Sequence, residues 1–195
     1  SIIDIHDNDL LEKWKDDDRK SITVENLMHM QSGLEWNEDY GNRSDVTVML
    51  HCEPDFAEYA YTRPLEHDPG TNWYYSSGTT NIVSYILRQH FDTDNEYYSF
   101  PHEKLFHKIG ITGAVFEPDE SGTLVGSSYL YMTARDYARF ALLYLNDGRF
   151  NGEQVLPEGW VDYTVTPASA SGDEYGSFFW LNRNGYIESA PEDMY

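Results

Sequence analysis

The stretch NWYYSSGTTNIVSYIL, Asn72 to Leu87, decides how this chain is read: two tyrosines and two serines run straight into an apolar tail with helical periodicity. Asp68-Pro69-Gly70 just upstream is strong turn chemistry, since Pro pre-sets φ and Gly accepts φ above zero, so the hydroxyls fall at a loop-to-helix junction. A hydroxyl held at a helix start lies near the positive end of the helix dipole, which favours an anionic form. A phenol there can serve as a base. An ordinary tyrosine pKa near ~10 leaves it protonated at neutral pH, so base work at Tyr75 requires a neighbouring cation. On local features alone, Tyr75 reads as a core ring before it reads as a catalytic one.

Working outward, SITVENLMHMQSGLEW (21–36) predicts a helix: Thr23 caps it, Val24, Leu27, Met28 and Gln31 share a face, and Gly33 takes the left-handed stop. A second helix runs from Ser44 through DVTVML, Asp55 caps a short third in DFAEYA, and the loop EWNEDYGNR (35–43) lies ahead of them. The tyrosines lead into the helix TTNIVSYILRQH, and HEKLFHKIG reads as a helix stopped by Gly110. YMTARDYARFALLYLNDG is the clearest helix of all. Thr133 and Asp136 form a capping pair, Tyr137, Phe140, Ala141, Tyr144 and Leu145 share a face, and Gly148 ends it. NGEQVLPEGWVDYTV predicts a short extended piece and a helix with Pro157 in its first turn, and YGSFFWLN has the aromatic alternation of a strand.

The chain has 195 residues, enough for one compact domain with a real core or for one lobe of something larger, and no internal repeat or linker divides it. We therefore expect residues 1–195 to form a single unit. Thirteen basic and 34 acidic side chains give a formal charge of −21, which repels phosphate backbones and anionic lipid headgroups, so nucleic acid and membrane-surface partners are not expected. No run approaches the ~20 apolar residues of a membrane helix, and SIIDIHDNDL lacks the basic start and apolar core of a signal peptide. Cys52 is the only cysteine, so no intrachain disulfide forms.

Each candidate site has a bland alternative. HEKLFH resembles a His-Glu-x-x-His zinc pattern, but His102 and His107 are five apart, which on an α-helix points them to different sides, so no metal is predicted. The acidic alternation Asp92, Asp94, Glu96 lacks the glycine and distal glutamate of a calcium loop and reads as a solvated turn. No Gly-x-Ser-x-Gly elbow occurs. In so acidic a chain, a pair such as Glu38 and Asp39 is a poor signal for glycosidase chemistry.

Taken together, ITVENLMHMQSGLEW, PGTNWYYSSGTTNIVSYIL and GSSYLYMTARDYARFALLYLNDG resemble the serine β-lactamase-related family. That family includes class C β-lactamases, D-alanyl-D-alanine carboxypeptidases, esterases and 6-aminohexanoate-oligomer hydrolases. The three blocks span Ile22 to Gly148, and LPEGWVDYTVTP with YGSFFWLN extends the similarity nearly to the end. The resemblance implies an α+β fold, of which this chain would be mainly the helical lobe of a β-lactamase/transpeptidase-like architecture, with most of the antiparallel sheet missing. It implies a serine in Ser-x-x-Lys as the acylated nucleophile, a Tyr-x-Asn motif supplying a proton-exchanging tyrosine, and no cofactor. Tyr75-Ser76-Ser77 aligns with that second motif, so the resemblance implies Tyr75 as the general acid/base, with Ser77 where asparagine is usual. Tyr74 is the alternative base if the register shifts by one. In the loop EWNEDYGNR, Trp36, Asp39 and Tyr40 are the candidate walls of a substrate cleft.

The departures matter as much. None of Lys13, Lys15, Lys20, Lys104 or Lys108 has a serine three residues before it, and no Lys-Thr-Gly, Lys-Ser-Gly or His-x-Gly triplet occurs. The expected reading is a central fragment of a serine hydrolase acting on a small-molecule or peptide amide or ester, with the flanking sheet segments and the nucleophile outside these residues. Its rivals are a non-catalytic penicillin-binding-like recognition or regulatory domain and a helical interaction module. The resemblance favours the periplasm or cell exterior; substrate identity and oligomeric state stay open.

Overall fold

A computed structural model describes residues 3–195. Among the described residues seven α-helices dominate: α1 (Val24–Met28), α2 (Asp45–Cys52), α3 (Phe56–Tyr61), α4 (Ser77–Arg88), α5 (Asp94–Pro101), α6 (Ala134–Leu145) and α7 (Trp160–Val165). Two small antiparallel sheets accompany them, β1 (Val115–Phe116) on β2 (Leu130–Tyr131) and β3 (Arg149–Phe150) on β4 (Glu153–Gln154). The chain is thus α+β and mainly helical, as its sequence predicts. No helix among the described residues is long and apolar enough to cross a membrane.

Local chemistry sets the helix starts. Thr23, Ser44 and Thr133 each close a capping box with the third helical residue, while Asp55, Ser76 and Thr93 accept from the backbone N–H groups of Glu58, Thr79 and Glu96. α4 is central: its buried side carries Gly78, Asn81, Ile82 and Ile86, and it packs on α1, α2 and α3. Around it Trp14, Ile22, Leu27, Trp36, Val46, Met49, Phe56 and Val125 form the main core. A second cluster, Phe106, Ile109, Ile111, Ala114 and Leu143, sits under α6.

The structure corrects several of the sequence expectations. α1 stops at Met28, because Met30 takes a left-handed φ of 57° and turns the chain; Gln31 lies outside the helix, and Gly33 spends its positive φ against the His67 carbonyl. The acidic DTDNE run is a helix start, with Thr93 as cap and Asp94 and Glu96 in the first turn near the positive end of the dipole. Pro157 falls in a turn ahead of α7, whose N-cap is Gly159 at φ 78°. YGSFFWLN is no strand: Phe178 takes φ 63°, Gly176 N–H donates to the Phe179 carbonyl, and Tyr175 bridges Trp180 across the turn. His102 and His107 do not diverge either. Residues His102–Phe106 form a π-helical turn, whose wider pitch brings the i and i+5 rings within 5.8 Å. Among the described residues, no group of three or more His, Cys, Asp or Glu is placed to hold a metal.

The predicted common face of α6 is split. Tyr144 and Leu143 are buried, whereas Tyr137, Leu142 and Leu145 are 51%, 47% and 76% exposed. One apolar side of the helix therefore meets the second core, and the other has little packed on it among the described residues.

Gly78 sets how closely α4 approaches the Trp36 loop. A Cβ there would lie 2.6 Å from the Trp36 ring and 2.9 Å from the Ala60 Cβ. Gly78→Ala recovers about 1 kcal/mol of helix propensity but overpacks this contact by roughly 1–3 kcal/mol. The expected outcome is a net loss of stability, read as a lower denaturant midpoint at unchanged m-value; a rise in midpoint would show the contact to be slack.

Candidate functional site

The hydroxyl run at the α4 start divides into three jobs. Ser76 is the cap, its Oγ accepting the Thr79 N–H at 3.0 Å. Ser77 begins the helix almost fully buried, and its Oγ donates to Glu38 Oε1. Tyr75 stands just outside the helix, half-buried, with Tyr74 exposed beside it. The extended run leading to them is pinned where Tyr74 N–H donates to the Met30 carbonyl at 3.0 Å. Met30, with its sparsely populated left-handed backbone, also lines the cavity below.

Tyr75 is packed among aromatic rings, not sealed among aliphatic side chains. It stacks on Trp180 at 5.4 Å between ring centroids and meets Tyr175 edge-on at 6.0 Å, while Trp73 contacts Tyr175 and Trp180. Tyr75 and Tyr175 both line a cavity of about 340 Å³, together with Met30, Thr80, Val83, Ser84, Gly126 and Ser127, among others. Thr80, Val83, Ser84 and Leu87 recur along one stripe of α4. Gly126 packs closely on α4: a Cβ there would lie 2.3 Å from Ser84 Oγ and would push that hydroxyl aside. The fully buried Asn81 ties this wall together, its Nδ2 donating to the Ser77 carbonyl at 3.1 Å and Ser127 Oγ at 3.0 Å.

The Trp36–Tyr40 loop covers the helix start from the other direction, and Glu38 is its centre. Glu38 Oε2 accepts from Trp36 Nε1 and from the Ser77 N–H at 3.0 Å; Oε1 accepts from Ser77 Oγ and from the Tyr40 hydroxyl at 2.9 Å. Sequence reasoning passed over Glu38 as one carboxylate among many. Trp36 is buried, edge-on to Tyr59, while Tyr40 is 61% exposed with its hydroxyl 3.4 Å from Ser77 Oγ. Trp36, Tyr40, Ser77 and Glu38 are thus one cluster. Asp39 turns into its own loop, accepting from the Gly41 N–H at 2.7 Å and Asn42 Nδ2 at 2.9 Å, bonds that hold its carboxyl below the usual range. The loop is fastened to α2, where Ser44 Oγ donates to the Asp39 carbonyl at 2.6 Å and Asp45 Oδ2 accepts the Asn37 N–H at 2.9 Å.

Burial pushes the Tyr75 phenol above its ordinary pKa, and the Glu38 charge adds to the effect. Burial likewise raises Tyr40, whose hydrogen bond with Ser77 works the other way. The residues supporting Tyr75 from behind, Tyr175 and Trp180, were visible in the sequence only as aromatic alternation, about 100 residues downstream.

The beta-lactamase family model matches residues 7–191. The 6-aminohexanoate-dimer hydrolase of Paenarthrobacter ureafaciens is 24% identical over 185 residues, covering 89% of this chain and 44% of that protein. Among solved structures, a "putative 6-aminohexanoate-dimer hydrolase from Bacillus anthracis" superposes with a TM-score of 0.76 at 21% identity, over 92% of this chain and 53% of the other. A penicillin-binding protein from Bacillus halodurans superposes with a TM-score of 0.66 at 13% identity, over 92% and 63%. The chain spans about half the length of the relatives it matches.

The raised phenols set a pH dependence. Tyr59, Tyr97 and Tyr163 are each pushed up to about 12, and Tyr75 is raised as well. Below the unfolded tyrosine value of ~10, both states hold these protons and stability is unaffected; above it the unfolded chain loses them first, so stability falls as pH climbs toward the folded values. Denaturant midpoints measured from pH 9 to pH 11 are expected to drop, and Tyr75→Phe to remove one late-titrating component from the phenolate absorbance. A flat midpoint over that range would contradict the assignment.

Proposed function

Because the chain belongs to the beta-lactamase family, we propose that it forms the helical side of the active site of a serine hydrolase cleaving an amide or ester, with Tyr75 as its proton-transfer group. The observation that carries this reading is the position of Tyr75: a phenol at a helix start, braced by Trp180 and Tyr175, open on a cavity, and raised by burial and a carboxylate. Such a phenol needs a cation before it can act as a base. In this reading a Ser-x-x-Lys pair outside these residues supplies both the nucleophile and the cation.

The step then balances as follows. The tyrosinate takes the serine proton as the serine oxygen attacks the carbonyl carbon, and gives that proton to the leaving nitrogen or oxygen as its bond to carbon breaks. The tyrosinate thus regenerated takes a proton from water as the water oxygen attacks the acyl carbon, and returns it to the serine oxygen as the acyl ester bond breaks. Trp36, Tyr40 and Ser77 form a substrate-facing wall, and Asp39 supports it by shaping the loop. The substrate is a small molecule or peptide, and residues 1–195 act as one unit with it.

A second reading, a non-catalytic recognition domain of the penicillin-binding type, has one observation in its favour: Ser77 stands in the asparagine position and its proton is committed to Glu38. One experiment separates the two. In the full-length protein, a fluorophosphonate probe is expected to label a serine upstream of residue 1, and Tyr75→Phe to slow acyl turnover by roughly 10²-fold or more without lowering the melting temperature. An unlabelled protein that still binds β-lactams reversibly favours the recognition domain. The isolated 195 residues are expected to hydrolyse nothing.

A further inference from the structure

Away from Tyr75, the turn that follows α5 brings two histidines together. His107 N–H donates to the His102 carbonyl, an i+5 to i bond that gives residues His102–Phe106 their π-helical pitch. On an α-helix, positions five apart would stand about 140° from each other round the axis. Here the two rings lie 5.8 Å apart between centroids, tilted by 51°. The turn is anchored from inside, since Phe106 is buried in the second core and His102 rests edge-on against its ring at 5.3 Å. His102 is half-buried and His107 exposed, so the pair sits at the surface with its inner ring braced. Among the described residues neither imidazole has a hydrogen-bond or ion-pair partner; the ring contacts are with each other and with Phe106.

Two uncommitted imidazoles at this spacing have the chemistry of a chelate. A zinc-bound ring nitrogen lies ~2.1 Å from the ion and its ring centre about 3.2 Å away, so two rings at a tetrahedral angle have centres roughly 5 Å apart. A small rotamer adjustment closes the observed pair to that distance. Lys108, beside His107 in sequence, is committed to Glu153 at 2.9 Å, and a chain of charge −21 draws cations toward it. We propose that His102 and His107 are a chelating pair for a divalent ion that favours imidazole, of the class of Zn²⁺, Ni²⁺ and Cu²⁺, with water completing the coordination. The donor set disfavours Mg²⁺ and Ca²⁺, which take oxygen ligands. Two protein ligands, with no larger group among the described residues, make a weak and exchangeable site, unlike the four ligands of a structural zinc centre. The ion acts as a clip on the turn: the rings share it only while the π pitch is kept, because an α-helical turn parts them. The inference stands apart from the serine-hydrolase reading and uses none of its residues.

The test titrates Ni²⁺ calorimetrically into the untagged full-length protein at about pH 8, where imidazole is ordinarily neutral. The wild type is expected to show a site that His102→Asn and His107→Asn each weaken by about tenfold or more, because the second imidazole is otherwise offered at a high effective concentration. An excess of Mg²⁺ or Ca²⁺ is expected to leave that site in place. Backbone hydrogen exchange over residues 103–108 is expected to slow when Ni²⁺ is added to the wild type and to stay unchanged in either variant. His107, the exposed member, decides the matter if His102→Asn does not fold. Equal Ni²⁺ affinity in the wild type and folded His107→Asn overturns the proposal, as does displacement by Ca²⁺, which would place the ion on carboxylates, or no binding at ~1 mM Ni²⁺. Chelation by both histidines with no slowing of exchange overturns the clip.

Discussion

One carboxylate holds the two halves of the candidate site together. Glu38 joins a loop that has no regular structure to the first residue of α4, and it does so with four hydrogen bonds, two of them from N–H groups whose direction is fixed by an indole and a backbone. Hydrogen bonds to a charged acceptor are roughly twice as strong as neutral ones, and losing one partner in a half-buried place leaves the others uncompensated. Everything nearby is arranged around keeping that cluster closed. Gly78 has no side chain, so Trp36 can lie on the helix; Ser44 and Asp45 at the α2 start hold the loop from its far end; Asp39 curls the loop upon itself. The cluster in turn sets the height at which Tyr75 leaves the loop and enters the aromatic nest of Trp180 and Tyr175.

How much of this was legible in the sequence follows from how far apart the partners are. Helix starts were readable at Thr23, Ser44, Asp55 and Thr133 because cap and capped group lie within three residues. The family blocks were readable for the same reason. Tyr75, Ser77, Trp36 and Tyr40 were singled out by resemblance, and the structure brings the last three onto one carboxylate. Glu38 itself was hidden by abundance, one of 34 acidic residues, with its decisive partner Ser77 39 positions away. YGSFFWLN misled because alternation says only that aromatic residues face one side; the left-handed Phe178 turns the chain back before a strand can extend. The two histidines misled because a 3.6-residue turn was assumed where the chain, after Pro101, widens to a π-helical one.

Packing is uneven in a way that bears on the site. The main core around Leu27, Val46, Met49 and Ile82 is closed, and α4 is buried against it on one side. On its other side Thr80, Val83, Ser84 and Leu87 border the cavity beside Tyr75, and the outward apolar stripe of α6 carries Leu142 and Leu145 in the open. Both are helix faces with the i, i+3, i+4 spacing that ordinarily meets another element. Tyr75 therefore lines a cavity bounded by that stripe of α4 together with Met30, Gly126, Ser127, Tyr175 and Phe178.

That geometry keeps the Tyr75 phenol in its neutral form. The chain carries a formal charge of −21, the nearest charge felt by Tyr75 is a carboxylate, and burial works in the same direction. Each effect favours the neutral form. To reverse them, a proton acceptor must be offered a positive charge at contact distance: at ~4 Å and an effective dielectric constant of ~20, one ammonium is worth about 4 kcal/mol, which lowers an ordinary phenol's pKa of ~10 by roughly 3 and brings it near neutrality. In the proposed reading a lysine beside the Tyr75 oxygen lowers its raised value by that amount, and at twice the distance by half of it. In the proposed reading the raised phenol makes such a cation decisive, because a tyrosine that stays protonated without it would accept no proton until the lysine is in place.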